Sequence, residues 1–116
     1  EIEQMCRKAA GGHPLEFRQT NAEHQMVDWI QEAIDRAGGI VINPAGLSFR
    51  SIPVLDALKM FPRPIVELHL SNIHARDELH RHSIISQVAT AVICGLGADG
   101  YPAAVTALLR LCSARS

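Results

Sequence analysis

The sequence predicts an α/β fold of three layers, in which a parallel sheet carries helices on both of its faces. Three observations predict this class. Helical and strand-like segments alternate along the chain. Most strand-like segments are compact apolar runs, typical of strands that are buried on both faces of a parallel sheet. The length of 116 residues also suffices for one hydrophobic core. We therefore predict a single domain over residues 1–116.

The first half of the chain contains two predicted helices and two predicted strands. Residues 1–10 are good helix formers with apolar side chains on one face, and GGHP ends that helix. LEFRQ, from Leu15 to Gln19, alternates as a short strand. Ala22–Ala37 repeats apolar residues at helical spacing, and this places Trp29 in the core. GIVINP, at positions 39–44, is a β-branched run that predicts a buried strand.

The second half continues the alternation. Ser51 is placed to cap a helix that runs to about Met60. PIVELHL, at positions 64–70, is the next predicted strand, and a histidine-rich connection follows it. AVICGL, at 91–96, is the fourth predicted strand, and a helix over about 99–112 follows. Because such sheets normally open with a strand, we expect the first strand of this fold to lie outside the given sequence, before Glu1.

Composition excludes several classes of function. The formal net charge of −1 predicts no nucleic-acid partner, since that binding depends on clustered Lys and Arg. No apolar run is long enough to span a bilayer, so no membrane role is expected. The three cysteines form no CxxC motif, which argues against a disulfide framework or a zinc knuckle. Free thiols suit the reducing cytoplasm.

The segment VELHLSNIHARDELHRHS, from Val66 to Ser83, contains four of the six histidines. Ligands of open parallel sheets bind beyond the carboxyl ends of the strands, where Asn43 and His69 are predicted to lie. Strand alternation places Glu67 on the same face as His69. An imidazole held by a carboxylate is a natural general acid or base near neutral pH. The residues alone also allow a histidine that only packs at the strand end.

The sequence predicts neither a metal site nor a dinucleotide site. No HExxH motif or Cys/His pair occurs, and two arginines would place positive charge beside any cation, so we expect no metal. His74, His80 and His82 are by default partly exposed residues of the connection. GLGADG, at positions 95–100, matches G-x-G-x-x-G but lacks an acidic residue about 20 positions later. We interpret its glycines as a tight turn with close packing and expect no dinucleotide.

Five stretches together resemble a known family. They are FRQTNAEHQMVDWIQEA, GIVINPAG, SIPVLDAL, PIVELHLSNIHARDELHRHS and AVICGLGADGY. Over about residues 1–112 the chain resembles the type II 3-dehydroquinate dehydratases. The resemblance implies a flavodoxin-like fold with a five-stranded parallel sheet, assembled as a dodecamer of four trimers. It also implies a cofactor-free lyase that converts 3-dehydroquinate to 3-dehydroshikimate by anti elimination through an enolate.

The resemblance also implies residue roles. His69 matches the histidine that protonates the departing C1 hydroxyl, with Glu67 as its partner. A tyrosinate, whose pKa an arginine lowers, takes the C2 proton in this family. Asn43 matches an asparagine that holds the substrate and the histidine. Leu70 and Ser71 match the pair that binds the substrate carboxylate through backbone N–H groups. Asp56 matches an acid that acts across the trimer contact, and Arg76 matches an arginine near the lid.

The chain departs from the family in several places. The opening strand and the lid with the catalytic arginine and tyrosine are expected before Glu1, so residues 1–116 alone are expected to be inactive. Tyr101 aligns with a C-terminal G-Y and not with the base. Phe49 occupies the place of a pocket histidine, and His80 occupies that of a substrate-binding arginine.

These departures leave alternatives open. The protein is a dehydratase of aromatic amino acid biosynthesis or quinate catabolism, or a repurposed paralogue that keeps the fold and oligomer but binds a different small acid. A third reading is a dehydratase for an analogue lacking one ring hydroxyl.

Overall fold

The computed structural model describes residues 1–114. Four α-helices and three β-strands form within that range, joined by several short 3₁₀ turns. In chain order they are α1 (Ile2–Ala10), α2 (Glu23–Arg36), β1 (Ile40–Ile42), α3 (Ile52–Lys59), β2 (Ile65–His69), β3 (Ala91–Cys94) and α4 (Gly100–Ala114). No helix among these residues is long and apolar enough to cross a membrane.

The strands form one parallel sheet with the order β1-β2-β3. Ile40 is opposite Ile65, and His69 is opposite Cys94, so β2 is the central strand of the described sheet. All five residues of β2 are buried. The alternation of helices with buried strands therefore predicted the fold class correctly.

The strand predicted at Leu15–Gln19 is wrong, because this segment forms no ladder within the described residues. The sheet of residues 1–114 accordingly has three strands where four were predicted. Leu15 and Phe17 do pack against the cluster around Cys6 and Val105, between α1 and α4. An alternating sequence pattern indicates which side chains are buried, but a segment forms a strand only if its backbone also pairs with a neighbouring strand.

Helices cover both faces of the sheet. On one face α2 and α3 pack over Ile42 and Ile65. On the other face Ala104 of α4 packs against Val66 and Leu68. Side chains of β2 therefore alternate between the two faces as the strand parity predicts, and Glu67 and His69 share the face of Ile65.

Trp29 of α2 departs from its predicted core position. Its side chain is partly buried and lies outside the apolar clusters of the described residues. The guanidinium of Arg18 stacks over its ring at 5.3 Å from the ring centroid. A cation–π contact of this kind suits a ring at the rim of the core.

Ser51 caps α3 as predicted. Its Oγ accepts the backbone N–H of Val54 at 3.1 Å and donates to the carboxylate of Glu23 at 2.7 Å. The serine is 3% exposed and its bond with Val54 is buried, whereas Glu23 is exposed. This hydroxyl therefore fixes the start of α3 against the first turn of α2.

The glycine motif between β3 and α4 forms the tight, closely packed turn that the sequence predicted. Gly95 adopts a φ of +94°, in the region that favours glycine. A Cβ on Gly100 would lie 2.7 Å from Cδ1 of the buried Leu68. The motif thus lets α4 begin directly against the central strand.

Candidate active site

A cavity of about 440 Å³ opens at the carboxyl ends of β1 and β2. This is the edge where open parallel sheets bind their ligands. Most of the predicted site residues line this cavity, and the volume of the cavity suits a small molecule. The lining residues are Asn43, Ala45, Gly46, Phe49, His69, Leu70, Ser71, Ile73, Arg76 and His80.

The most buried polar group of the site is the Glu67–His69 pair. Glu67 is 0% exposed and His69 is 4% exposed. The Nε2 atom of His69 is hydrogen-bonded to Oε2 of Glu67. Ser83 Oγ donates to the same oxygen at 2.6 Å, and Ser86 Oγ donates to Oε1 at 2.7 Å. The carboxylate is therefore buried with three hydrogen-bond partners.

These partners decide the charge of Glu67. Burial raises the pKa of this carboxyl group, but the hydrogen bonds from His69, Ser83 and Ser86 together outweigh burial and lower the pKa below its usual range. Glu67 is thus a buried anion near neutral pH. A buried carboxylate next to a ring fixes the orientation of the imidazole and stabilises its protonated form.

The second ring nitrogen of His69 is left for a ligand. Nε2 is engaged by Glu67, and Nδ1 forms no hydrogen bond with the described residues. Since His69 lines the cavity, a proton on Nδ1 can be exchanged with a bound molecule. This arrangement has the chemistry of a general acid or base.

Asn43, at the end of β1, is held by both ends of its amide. Its Nδ2 donates to the hydroxyl oxygen of Tyr101 at 2.9 Å, and its Oδ1 accepts the backbone N–H of Ala45 at 3.2 Å. Ala45 adopts a φ of 49°, which is uncommon for a residue other than glycine. The structure therefore places Tyr101 as a support for Asn43 and not on the cavity wall.

The end of β2 is held by the glycine motif. Gly95 N–H donates to the carbonyl of His69 at 3.2 Å, and Gly97 N–H donates to the carbonyl of Leu70 at 2.9 Å. These bonds fix the backbone where Leu70 and Ser71 reach the cavity. Backbone N–H groups at such a strand end are suited to hold an anion.

Phe49 and His80 meet on another part of the wall. Their rings are edge to face, with centroids 5.5 Å apart and planes at 81°. His80 Nδ1 lies 2.8 Å from Oδ1 of Asp77. Arg76 also lines the cavity, with an exposed side chain. The lining thus contains one arginine, two histidines and no carboxylate, which favours an anionic ligand.

Two predicted site residues do not line the cavity: Glu67 lies behind His69 and is bonded to it, whereas Asp56 has no contact with the site. It lies on the exposed side of α3 and is not among the lining residues. Ile52 and Met60, the residue that caps the end of α3, each lie four residues from Asp56 and therefore on the same side of the helix. Their exposed fractions are 55% and 69%.

Sequence reasoning missed four supporting residues, namely Ser83, Ser86, Tyr101 and Asp77. Ser83 lies 16 residues from Glu67, and Tyr101 lies 58 residues from Asn43. No local spacing signals such bonds, because the tertiary fold alone brings the partners together. Asp77 is different, because an acid three residues before His80 at a turn start was visible as a capping pattern.

No group of three or more His, Cys, Asp or Glu side chains among residues 1–114 is arranged to hold a metal ion. The residues at the cavity instead combine one acid–base pair, one amide and one arginine. They are suited to proton transfer on a bound anion.

Comparison with known proteins decides the family. The family model for class II dehydroquinases matches residues 1–109. The chain belongs to the class II dehydroquinase family. A relative from Agrobacterium fabrum, named 3-dehydroquinate dehydratase 2, is 44% identical over 118 residues, which cover 100% of this chain and 80% of the relative. A 3-dehydroquinate dehydratase from Bartonella bacilliformis is 52% identical over 104 residues, 86% of this chain and 65% of the relative.

Solved structures of class II dehydroquinases agree with this fold. The type II dehydroquinase from Propionibacterium acnes superposes with a TM-score of 0.85 at 39% identity, over 94% of this chain and 74% of the other. A 3-dehydroquinate dehydratase-like protein from Bifidobacterium longum gives 0.77 at 31% identity, over 97% and 86%. The flavodoxin-like expectation for this chain is therefore confirmed.

Proposed function

We propose that this protein is a 3-dehydroquinate dehydratase, a lyase that converts 3-dehydroquinate to 3-dehydroshikimate by anti elimination of water. Membership of the class II dehydroquinase family supports the proposal, as do relatives of that name at 44% and 52% identity. The single observation that carries it is the buried Glu67–His69 pair at a cavity that Arg76 also lines.

The proposed reaction uses the cavity as follows. Backbone N–H groups of Leu70 and Ser71 hold the substrate carboxylate, and Asn43 holds the ring beside His69. A tyrosinate removes the C2 proton and leaves an enolate with its negative charge on the C3 oxygen. We propose that this tyrosine and the arginine that lowers its pKa lie before residue 1. His69 then donates a proton to the C1 hydroxyl, which departs as water while the C1–C2 double bond forms. The reaction requires no metal or organic cofactor.

A second candidate function is a repurposed paralogue that binds a different small acid. The Phe49–His80 ring pair favours it, because both residues occupy positions where the family resemblance implies substrate contacts. Phe49 offers no hydrogen bond, and losing one typically costs about 1–3 kcal/mol when the partner stays buried. A substrate analogue lacking one ring hydroxyl would lose nothing at Phe49.

Assembly is part of the proposal. We infer a dodecamer of four trimers, in which Asp56 reaches the cavity of a neighbouring subunit. The exposed face of α3 supports this, since Asp56 lies between the exposed apolar side chains of Ile52 and Met60. We place the enzyme in the cytoplasm, in aromatic amino acid biosynthesis or in quinate catabolism.

Turnover of the full-length protein tests the proposal. We expect 3-dehydroquinate to produce the ultraviolet absorbance of the conjugated enone, and residues 1–116 alone to produce none. The analogue without one ring hydroxyl is assayed in parallel. If neither compound is turned over at saturating concentration, the proposed dehydratase activity is wrong and the repurposed paralogue is favoured. A strong preference for the analogue would show that the enzyme dehydrates the analogue instead of 3-dehydroquinate.

A further inference from the structure

The turn between β3 and α4 contains the glycine motif, and Tyr101 follows that motif in the first turn of α4. The backbone of this turn binds the end of β2. Gly95 N–H donates to the carbonyl of His69 at 3.2 Å, and the N–H of Gly97 donates to the next carbonyl along the strand end at 2.9 Å. The side chain of Tyr101 extends the same support to the end of β1, where its hydroxyl accepts an amide hydrogen bond. One short turn therefore supports both strand ends that form the cavity.

The ring of Tyr101 is anchored independently of its hydroxyl. It packs against two apolar clusters, one that includes Leu68 and Ala104 and one that includes Val105. A buried ring with a polar tip can hold a hydrogen-bonding oxygen at a fixed place next to a polar site. Removal of the hydroxyl alone would therefore leave the packing of the ring intact.

Two bonds set the orientation of the Asn43 amide. Ala45 N–H donates to Oδ1 at 3.2 Å, and a backbone N–H can bond only to the oxygen of the amide. Nδ2 consequently faces Tyr101 and donates to its hydroxyl oxygen at 2.9 Å. A single bond would leave the amide plane free to rotate, whereas bonds to both of its ends fix the plane.

The fixed amide offers a hydrogen-bond donor to the cavity. Nδ2 has two hydrogens, and within residues 1–114 it bonds to the hydroxyl of Tyr101 alone. Asn43 lines the cavity, so the second hydrogen is left for a ligand. Because Ala45 occupies Oδ1, the matching ligand group is an acceptor, such as a hydroxyl or carbonyl oxygen. Tyr101 itself is not among the lining residues, so its effect on a ligand is exerted through Asn43.

We propose that Tyr101 is a positioning residue for ligand binding, which fixes the Asn43 amide with an N–H group available to the cavity. The inference rests on the proposed function, because the ligand is taken to be the ring acid of that reaction. The amide contacts the bound ring and not the proton that His69 transfers. Loss of the Tyr101 hydroxyl therefore weakens binding and raises KM, while kcat keeps its value.

Tyr101→Phe in the full-length protein tests the inference. Phenylalanine keeps the packed ring and removes only the acceptor for Nδ2. We measure kcat and KM for 3-dehydroquinate, and Kd for quinate, whose C3 hydroxyl replaces the ketone and prevents enolate formation. KM and Kd should each rise roughly fivefold, the effect of one hydrogen bond, and kcat should change by less than about twofold.

A double-mutant cycle determines whether Tyr101 acts through Asn43. In the Asn43→Ala background, Tyr101→Phe should change KM and Kd by less than about twofold, because no amide is left to orient. Thr106→Val is the matched control, since it removes an exposed hydroxyl from the same helix and should leave all three constants at the wild-type values. Urea denaturation of every variant identifies folding defects, which lower the apparent kcat and not KM.

The outcomes separate failure of the inference from failure of the proposed function. If 3-dehydroquinate is turned over and Tyr101→Phe keeps the wild-type KM, the inference is wrong and the function stands. The same conclusion follows if Tyr101→Phe lowers kcat alone, or if its full effect on KM persists in the Asn43→Ala background.

Quinate binding decides the case in which 3-dehydroquinate is not turned over. If Tyr101→Phe weakens quinate binding in the wild-type background and not in the Asn43→Ala background, the dehydratase activity is wrong and the positioning role of Tyr101 stands. If quinate binds without this dependence on Asn43, or does not bind at all, both the activity and the positioning role are wrong.

Discussion

At the scale of single residues, the proposed chemistry depends on a buried carboxylate that its partners keep charged. Glu67 and His69 were predicted as a pair, because strand alternation places residues two apart on one face. The serines that complete the network were not predictable, since Ser83 and Ser86 reach Glu67 from the connection. A hydroxyl in a loop has no periodicity that reveals its partner.

Glu67→Gln tests this network through stability. The amide keeps the shape but loses the charge, and we expect a loss of about 1–3 kcal/mol in the free energy of unfolding at neutral pH. Because the folded pKa of Glu67 is lowered, its stabilising contribution is complete above the ordinary glutamate pKa of about 4.3 and is lost as the pH falls through the folded value. The wild-type advantage in urea denaturation should shrink below about pH 4.3.

The exposed Glu3 provides a control for Glu67→Gln. Its ion pair with Arg7 lies at the surface, with both side chains about half exposed. Glu3→Gln should change the free energy of unfolding by less than about 0.5 kcal/mol. If Glu67→Gln behaves like Glu3→Gln at every pH, the carboxylate is not the buried anion described above.

At the scale of elements, the sequence predicted those features that periodicity and capping encode. The four helices and the strands at Ile40, Ile65 and Ala91 were found close to their predicted bounds. The prediction of a strand at Leu15–Gln19 was wrong. Side-chain burial does alternate at the start of this segment, but its backbone pairs with no strand in residues 1–114. Pairing is a property of two segments, and a pattern in one segment cannot report it.

Ser51→Ala tests the element that carries Asp56. The hydroxyl caps α3 and bonds to Glu23, and its removal should lower the free energy of unfolding by about 1 kcal/mol. Ser51→Thr keeps the oxygen and should retain most of the stability. The exposed Ser113 of α4 supplies the control, and Ser113→Ala should be neutral within about 0.5 kcal/mol in the same thermal and urea experiments. Equal stability of Ser51→Ala and the wild type would show that the Ser51 hydroxyl does not stabilise α3.

At the scale of the whole molecule, the described cavity is incomplete without Asp56 if the proposed role of that residue is correct. Asp56 was predicted from the family resemblance, and one subunit places it on the exposed face of α3. Neither the sequence nor the fold of one chain reveals which surface meets a neighbour. The exposed Ile52 and Met60 on the same face provide the physical reason to expect a contact there.

Mixing two inactive variants tests whether Asp56 acts in a neighbouring subunit. Full-length Asp56→Ala and His69→Ala proteins are each expected to be strongly impaired. When they are dissociated, mixed and reassembled, some sites combine His69 of one subunit with Asp56 of another, so activity should return. Unchanged activity after verified subunit exchange would show that the two residues act within one chain.

The central claim, that His69 is the general acid, is tested most directly by the turnover of full-length His69→Ala. Its loss should lower kcat by about 10²–10⁴-fold, because the departing hydroxyl then lacks a positioned proton donor. The exposed His13 lies outside the cavity, so His13→Ala should match the wild type in the same enone absorbance assay. A kcat of His69→Ala equal to that of His13→Ala would contradict the account.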